Sequence, residues 1–350
     1  LKYPQNGLIY KEKLMRKIAG LAAAVAITAS ALVAAPAYAA DNVTAGGSSF
    51  SAKMLQTCAA NYSAATVTYT ASSSGTGRTN FANGTFDFAG SDGAYGSADA
   101  KPKGAYAYVP VLGGPIAIIF NLDGVKNLRL DATTIGAIFQ GTVKTWNDPA
   151  IAKLNPGVKL PATAITPEYR GSKSGTNGNF SGYLVANKAT GWTADQTWTT
   201  ATGKSTPAGV GGATSANVVS NVKSTAGAIG YVDLADAVAA GLPYATVKNA
   251  AGQFVKPTTA GASKFLAGQA VNNDGTVAID WAKKVPGGYN ASVITYAVVP
   301  TETSKNGAAV KGFMSYVLTS CVPANAAKLG YVSLTGAISA KAKAVVATIK

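Results

Sequence analysis

Beyond residue 40 the chain alternates short apolar, strand-like runs with Ala-rich, helix-like segments. The strand-like runs are residues 67–69, 86–90, 109–121, 135–139, 165–169, 228–232 and 293–299. Met54, Leu55 and Tyr62 share one face of a helix-like stretch around Cys58. Another such stretch closes at Cys321, just before Pro323, and a third covers residues 180–187. This alternation predicts an α/β architecture. Asn155-Pro156-Gly157 and residues 286–290 mark turns. Two apolar runs, 111–121 and 292–300, suit crossovers between two lobes. The first lobe would then hold both chain ends (41–120 plus 297–350), and the second would be inserted between them (121–296).

The first forty residues follow a different pattern. Lys13, Arg16 and Lys17 surround Met15, an apolar stretch runs from Ile18 to Ala35, and Ala37-Tyr38-Ala39-Ala40 offers small residues for cleavage. These features predict a cleaved signal peptide starting at Met15, with residues 1–14 lying upstream of it. A membrane anchor is the alternative. No Cys sits near the cleavage position, so lipid attachment is not expected. The mature protein is expected to be periplasmic or secreted.

Composition fits an exported protein. Of 350 residues, 47% are hydrophobic and 13% charged, the latter well below the ~25% of ordinary soluble domains. The formal net charge is +15. Lys and Arg are dispersed, with no aromatic-interleaved basic run, which argues against nucleic acid and for general attraction of anions. There is no histidine. The commonest general base and the commonest metal ligand are therefore missing together, and Cys58 and Cys321 cannot complete an ordinary zinc site. No metal or cofactor is implied. In an exported chain the two cysteines suggest one disulfide, with two buried thiols as the alternative.

Four polar segments each adjoin a strand-like run. They are Thr44-Ala45-Gly46-Gly47-Ser48-Ser49-Phe50, Ser72-Ser73-Ser74-Gly75-Thr76-Gly77, Asp87-Phe88-Ala89-Gly90-Ser91-Asp92 and Arg170-Gly171-Ser172-Lys173-Ser174-Gly175-Thr176. Each alone reads as a turn or a helix cap. Their recurrence is informative, because ligands of α/β sheets sit at the carboxyl ends of strands and helix N-termini favour anions. Gly203-Lys204-Ser205 looks like the end of a P-loop, but Trp198 stands where its first glycine belongs.

The chain resembles the periplasmic phosphate-binding proteins of ABC-type phosphate uptake, the PstS family. The likeness rests on the stretch from Ile138-Phe139-Gln140-Gly141 to Pro156-Gly157-Val158-Lys159-Leu160-Pro161. It rests also on Ala226-Gly227-Ala228-Ile229-Gly230-Tyr231-Val232-Asp233 and on Val111-Leu112-Gly113-Gly114. The resemblance implies a two-lobe periplasmic-binding-protein fold (type II-like) with the ligand in the interlobe cleft. It also implies a monomer that passes inorganic phosphate to a membrane permease. It assigns the ligand to Ser49, Phe50, Ser74, Asp92, Arg170, Ser174, Gly175 and Thr176. In that set hydroxyls, amides and Arg170 satisfy the phosphate oxygens, and Asp92 accepts the proton that phosphate carries and sulfate lacks. Where the family has an acidic residue two positions after the arginine, this chain has Ser172. The resemblance thus implies an atypically positive site. Other functional classes remain open as alternatives: a secreted phosphate-ester hydrolase, disfavoured by the lack of His and of a nucleophile elbow, and an exported structural or adhesive protein.

Overall fold

The structure, a computed structural model, describes residues 41–350. The expected signal peptide lies outside the described residues.

One eight-stranded sheet organises the fold, in the order β2-β1-β3-β13-β4-β8-β6-β7. Its strands are β1 (Asn42–Ser48), β2 (Thr66–Ser72), β3 (Phe88–Ser91), β4 (Tyr106–Phe120), β6 (Thr166–Arg170), β7 (Val210–Gly212), β8 (Ala228–Asp233) and β13 (Ser292–Pro300). Two small sheets join β5 (Arg129–Leu130) to β9 (Thr246–Lys248) and β10 (Phe254–Val255), and β11 (Ala270–Val271) to β12 (Val277–Ala278).

The long strand β4 divides its work. Residues 106–115 pair antiparallel with β13, while Ile116–Phe120 pair antiparallel with β8. Thus β4 belongs to a first half (β1, β2, β3, β13) and to a second half (β6, β7, β8). Nearly all of β4 and β13 is buried, as expected where Val and Ile runs are covered on both faces. Gly113 and Gly114 permit this packing. A Cβ at Gly113 would lie 2.5 Å from Leu266, and one at Gly114 3.2 Å from the Phe50 ring.

Within the first half β1 runs parallel to β2 and β3; within the second β6 runs parallel to β7 and β8. Helices follow the strand ends: α1 (Ala52–Ala60) after β1, α2 (Ser74–Ala82) after β2, α4 (Gly175–Ala186) after β6 and α5 (Ser215–Ser224) after β7. Carboxyl ends of parallel strands and N-termini of helices are thereby gathered together.

Two readings of the apolar pattern are corrected. Residues 135–139 are not a strand but the end of helix α3 (Ala132–Phe139). The Asp131 carboxylate caps it by accepting from the Thr134 N–H at 2.9 Å, and Ile135, Ile138 and Phe139 all pack into the core. A short apolar run cannot distinguish a buried helix from a strand. The helix-like stretch before Pro323 also does not stop at Cys321. Helix α6 (Gly307–Tyr316) passes through a π-turn (Val317–Cys321) into a further turn, Val322–Asn325, where Pro323 takes an early position that needs no N–H partner.

Cys58 on α1 and Cys321 in the π-turn form the disulfide, with Cα atoms 5.6 Å apart and 263 positions apart in sequence. Among the described residues no helix is long and apolar enough to cross a membrane. Closing so long a loop removes entropy from the unfolded chain. Replacing both cysteines by Ser is expected to lower stability by about 2–4 kcal/mol. Urea unfolding under non-reducing conditions measures this, and an unchanged midpoint would show that the bridge contributes nothing.

Candidate functional site

Each strand that ends near the centre of the molecule delivers a polar group there. Ser49 and Phe50 follow β1, Ser74 follows β2, and Asp92 follows β3. Arg170 closes β6, and Ser174, Gly175 and Thr176 open α4. All eight are buried. Ser74, Gly175 and Thr176 lie against Asp92, and Arg170 reaches the Ser72 carbonyl. Ser174 adjoins Gly175 in sequence, as Ser49 and Phe50 adjoin Ser48, a donor to Asp92.

Asp92 is the acidic focus. Its Oδ1 accepts the Ser48 hydroxyl at 2.5 Å and the Thr295 hydroxyl at 2.7 Å. Its Oδ2 has only two long contacts, from Ser74 and Thr176 hydroxyls at 3.4 Å each. That oxygen retains capacity for one short hydrogen bond. The carboxylate is 3% exposed. Burial pushes its pKa up, against the hydroxyls of Ser48 and Thr295 and the charge of Arg170, which favour the ionised form.

Thr295 reaches Asp92 because of an irregularity in the sheet. Thr295 faces Leu112 but Tyr296 faces Pro110, leaving Val111 as the extra residue of a bulge. Bulges re-aim side chains in this way.

Arg170 lies at the end of β6 and is 1% exposed. Its Nη2 donates to the Ala213 carbonyl at 2.9 Å, the Ser72 carbonyl at 3.2 Å and the Ser172 hydroxyl at 3.3 Å. Its Nε has no partner among the described residues, and no carboxylate pairs with it. Burial pulls its pKa down, countered by Tyr231, Asp92, Asp233 and Asp236, yet a guanidinium keeps its proton in proteins. The site therefore holds a buried cation without a direct ion pair among the described residues.

The backbone of Arg170 is pinned from below. Its N–H donates to the Tyr231 hydroxyl at 3.2 Å, its carbonyl accepts from the Asn177 amide at 2.8 Å, and the Tyr231 hydroxyl donates to Asn177 Oδ1 at 2.5 Å. Tyr231 stacks on Phe180 with ring centroids 4.0 Å apart. Ser174 caps α4 by accepting from the Thr176 N–H. The first turn of that helix carries N–H groups without intrahelical partners, beside the positive end of the helix dipole. Gly175 cannot be replaced there: a Cβ would lie 2.6 Å from the Ser74 hydroxyl and 2.7 Å from Asp92.

Ser49 works across the two halves. Its hydroxyl accepts from the Ser215 N–H at 3.0 Å and lies 3.1 Å from the Ser215 hydroxyl, so α5 adds a further N-terminus. Phe50 contributes a ring under Gly114 and a carbonyl held by the Tyr331 hydroxyl at 2.8 Å. A cavity of about 470 Å³ adjoins Asp92 and Gly175, with Trp281 and Tyr296 in its wall.

Sequence reasoning did not single out Ser48, Thr295, Ser215, Asn177 or Tyr231 as site residues. Ser48 sat in a segment already recognised, and Asn177 directly follows another. Thr295 gave no local signal, because it lies inside an apolar run and acts through the bulge.

Strand-end hydroxyls and helix N-termini enclosing one guanidinium and one carboxylate define a small-anion binder of the two-lobe α/β kind. The sequence model of the PBP superfamily domain, PBP_like_2, matches residues 32–320. The chain is 35% identical over 266 residues to phosphate-binding protein PstS 2 of Mycobacterium tuberculosis, covering 71% of this chain and 70% of the relative. To phosphate-binding protein PstS of Xylella fastidiosa it is 34% identical over 248 residues, covering 68% and 65%. The solved structure of a high-affinity periplasmic phosphate-binding protein, PfluDING, bound with phosphate, superposes with a TM-score of 0.69. Its identity is 22%, over 87% of this chain and 93% of that one. The chain belongs to the PBP superfamily and, within it, to the PstS family of phosphate-binding proteins.

The raised pKa of Asp92 has a stability consequence. The folded state holds this proton more tightly than the unfolded chain does. Without a bound anion, stability therefore falls as pH rises from about 4, the ordinary carboxyl value, through the raised value, and then levels off. Asp92→Asn removes that contribution. Calorimetry in phosphate-free buffer is expected to show the variant gaining in melting temperature over wild type as pH rises above about 4. A difference that does not change with pH would contradict this.

Proposed function

We propose that this chain is an extracytoplasmic solute-binding protein that captures inorganic phosphate between its two lobes and delivers it to an ABC-type importer. The single observation that carries the ligand assignment is the burial of Asp92 and Arg170 in one site with no ion pair between them. Arg170 is a buried cation with an unpartnered Nε, suited to an oxyanion. Asp92 Oδ2 keeps room to accept one proton, which a protonated phosphate supplies and sulfate does not. Facing sulfate, the same carboxylate would meet an unprotonated oxygen at close range.

In this reading Ser49, Phe50, Ser74, Ser174, Gly175 and Thr176 complete the ligand shell through hydroxyl and backbone N–H groups. The lobes are residues 41–120 with 297–350, and residues 121–296. The protein acts as a monomer in the periplasm or outside the cell. It presents its loaded, closed form to a membrane permease, closing through the β4 and β13 crossovers by hinge motion. Ser172 offers Arg170 only a neutral oxygen, so the guanidinium spends its charge on the ligand. Binding and release suffice for this role, and nothing in the site calls for bond making.

Isothermal calorimetry with phosphate and with sulfate tests the reading: phosphate binds and sulfate binds far more weakly. Failure to bind phosphate would sink it. Arg170→Ala is expected to cost about 2–5 kcal/mol of phosphate binding, and wild-type affinity in that variant would remove Arg170 from the site. Asp92→Asn is expected to narrow the phosphate-to-sulfate ratio; an unchanged ratio would reject Asp92 as proton acceptor.

A further inference from the structure

Besides Arg170, the described residues bury one other guanidinium, that of Arg78, at 1% exposure. It sits on α2, in the first half, with its face over the Tyr95 ring at 5.5 Å. Its Nη1 donates to the Ser91 hydroxyl at 2.9 Å and to the Gly93 carbonyl at 3.3 Å. Its Nη2 donates to Asp99 Oδ2 at 3.0 Å and, across the cleft, to Gln196 Oε1 at 2.8 Å. The other end of that Gln196 amide donates to the Ala94 carbonyl at 3.2 Å.

Asp99 makes a second crossing. Its Oδ1 pairs with Lys173 of the second half, while its Oδ2 also accepts the Gly96 N–H at 2.8 Å. The Lys173 carbonyl in turn accepts the Gly75 N–H at 3.0 Å. Burial would raise the Asp99 carboxyl, but Lys173, the Gly96 N–H and Arg78 outweigh it and hold the group below its ordinary value.

The surfaces here meet too closely for side chains. A Cβ on Gly75 would lie 2.9 Å from Lys173, and one on Gly93 or Gly178 would lie 2.9 Å from Gln196. Gly75 and Gly93 at the seam, with Gly178 behind Gln196, let two charged strips interlock.

We propose that Arg78, Asp99, Lys173 and Gln196 form a clasp between the two halves that sets how long the bound anion is retained. None of the four contributes to the ligand shell. Lys173 immediately precedes the Ser174 cap of α4, so a hold on Lys173 is a hold on the helix that faces the anion. The inference rests on the anion-binding reading above.

A competing account makes Lys173 merely an electrostatic lure, and the two differ in sign. As a lure, Lys173→Met slows association, and Asp99→Asn, which removes a negative charge, speeds it. As a clasp, both changes speed release. The Lys173–Asp99 pair is partly exposed, Lys173 at 40%, so the expected effect is about a 2–5-fold faster release for either variant. The double variant is expected to be no worse than the stronger single one. Rates are read by stopped-flow tryptophan fluorescence with inorganic phosphate.

Amide exchange at Gly75, measured with and without phosphate, gives a readout that does not depend on the ligand. Exchange is expected to quicken in both variants while the β4 and β13 amides, unchanged, report an intact fold. Unchanged Gly75 exchange in both variants, or faster association by Asp99→Asn with release unaltered, overturns the clasp. A wild-type protein that binds no phosphate would defeat the functional reading alone, and Gly75 exchange would still decide on the clasp.

Discussion

A single carboxylate that must remain buried governs this structure. Asp92 takes a hydroxyl from the end of β1, one from the start of α2, one from β13 opposite the β4 bulge and one from α4. Those four come from both halves of the sheet. An isolated buried charge is costly, and neutral donors offset only part of that cost. The charge of Arg170 offsets a further part.

That arrangement explains why the surrounding residues are small and hydroxylic. Ser48, Ser74 and Thr176 donate to the carboxylate without adding charge of their own. Gly175 lets α4 approach to within contact of Ser74 and Asp92. The absence of an acidic partner for Arg170 shifts the balance further. Ser172 gives it a lone pair rather than a negative charge, so the cradle is one negative charge poorer than it would be with a carboxylate at that position.

Much of this was legible in the sequence. Ser, Thr and Gly clusters after successive strand-like runs announced a cradle at the carboxyl ends of strands, and the structure gathers all eight expected residues there. The two long buried strands β4 and β13 could be read from two unusually long apolar runs, and of these β4 is the one that pairs in both halves. What escaped was long-range. Thr295 serves Asp92 only because Val111 bulges out of register, and Ser215 matters only because α5 is brought against Ser49. The run at 135–139 was misread because its period is too short to separate a buried helix from a strand, and Asp131, which caps that helix, lay outside it.

The sharing of β4 has a consequence for divisibility. Its residues 106–115 complete one half and Ile116–Phe120 the other, within one unbroken strand. Neither half owns a complete sheet without the other's piece of backbone. A gene cut between the halves would leave one fragment with an orphaned edge and the other without its central strand. Such a chain therefore folds as a unit, its two halves sharing one strand.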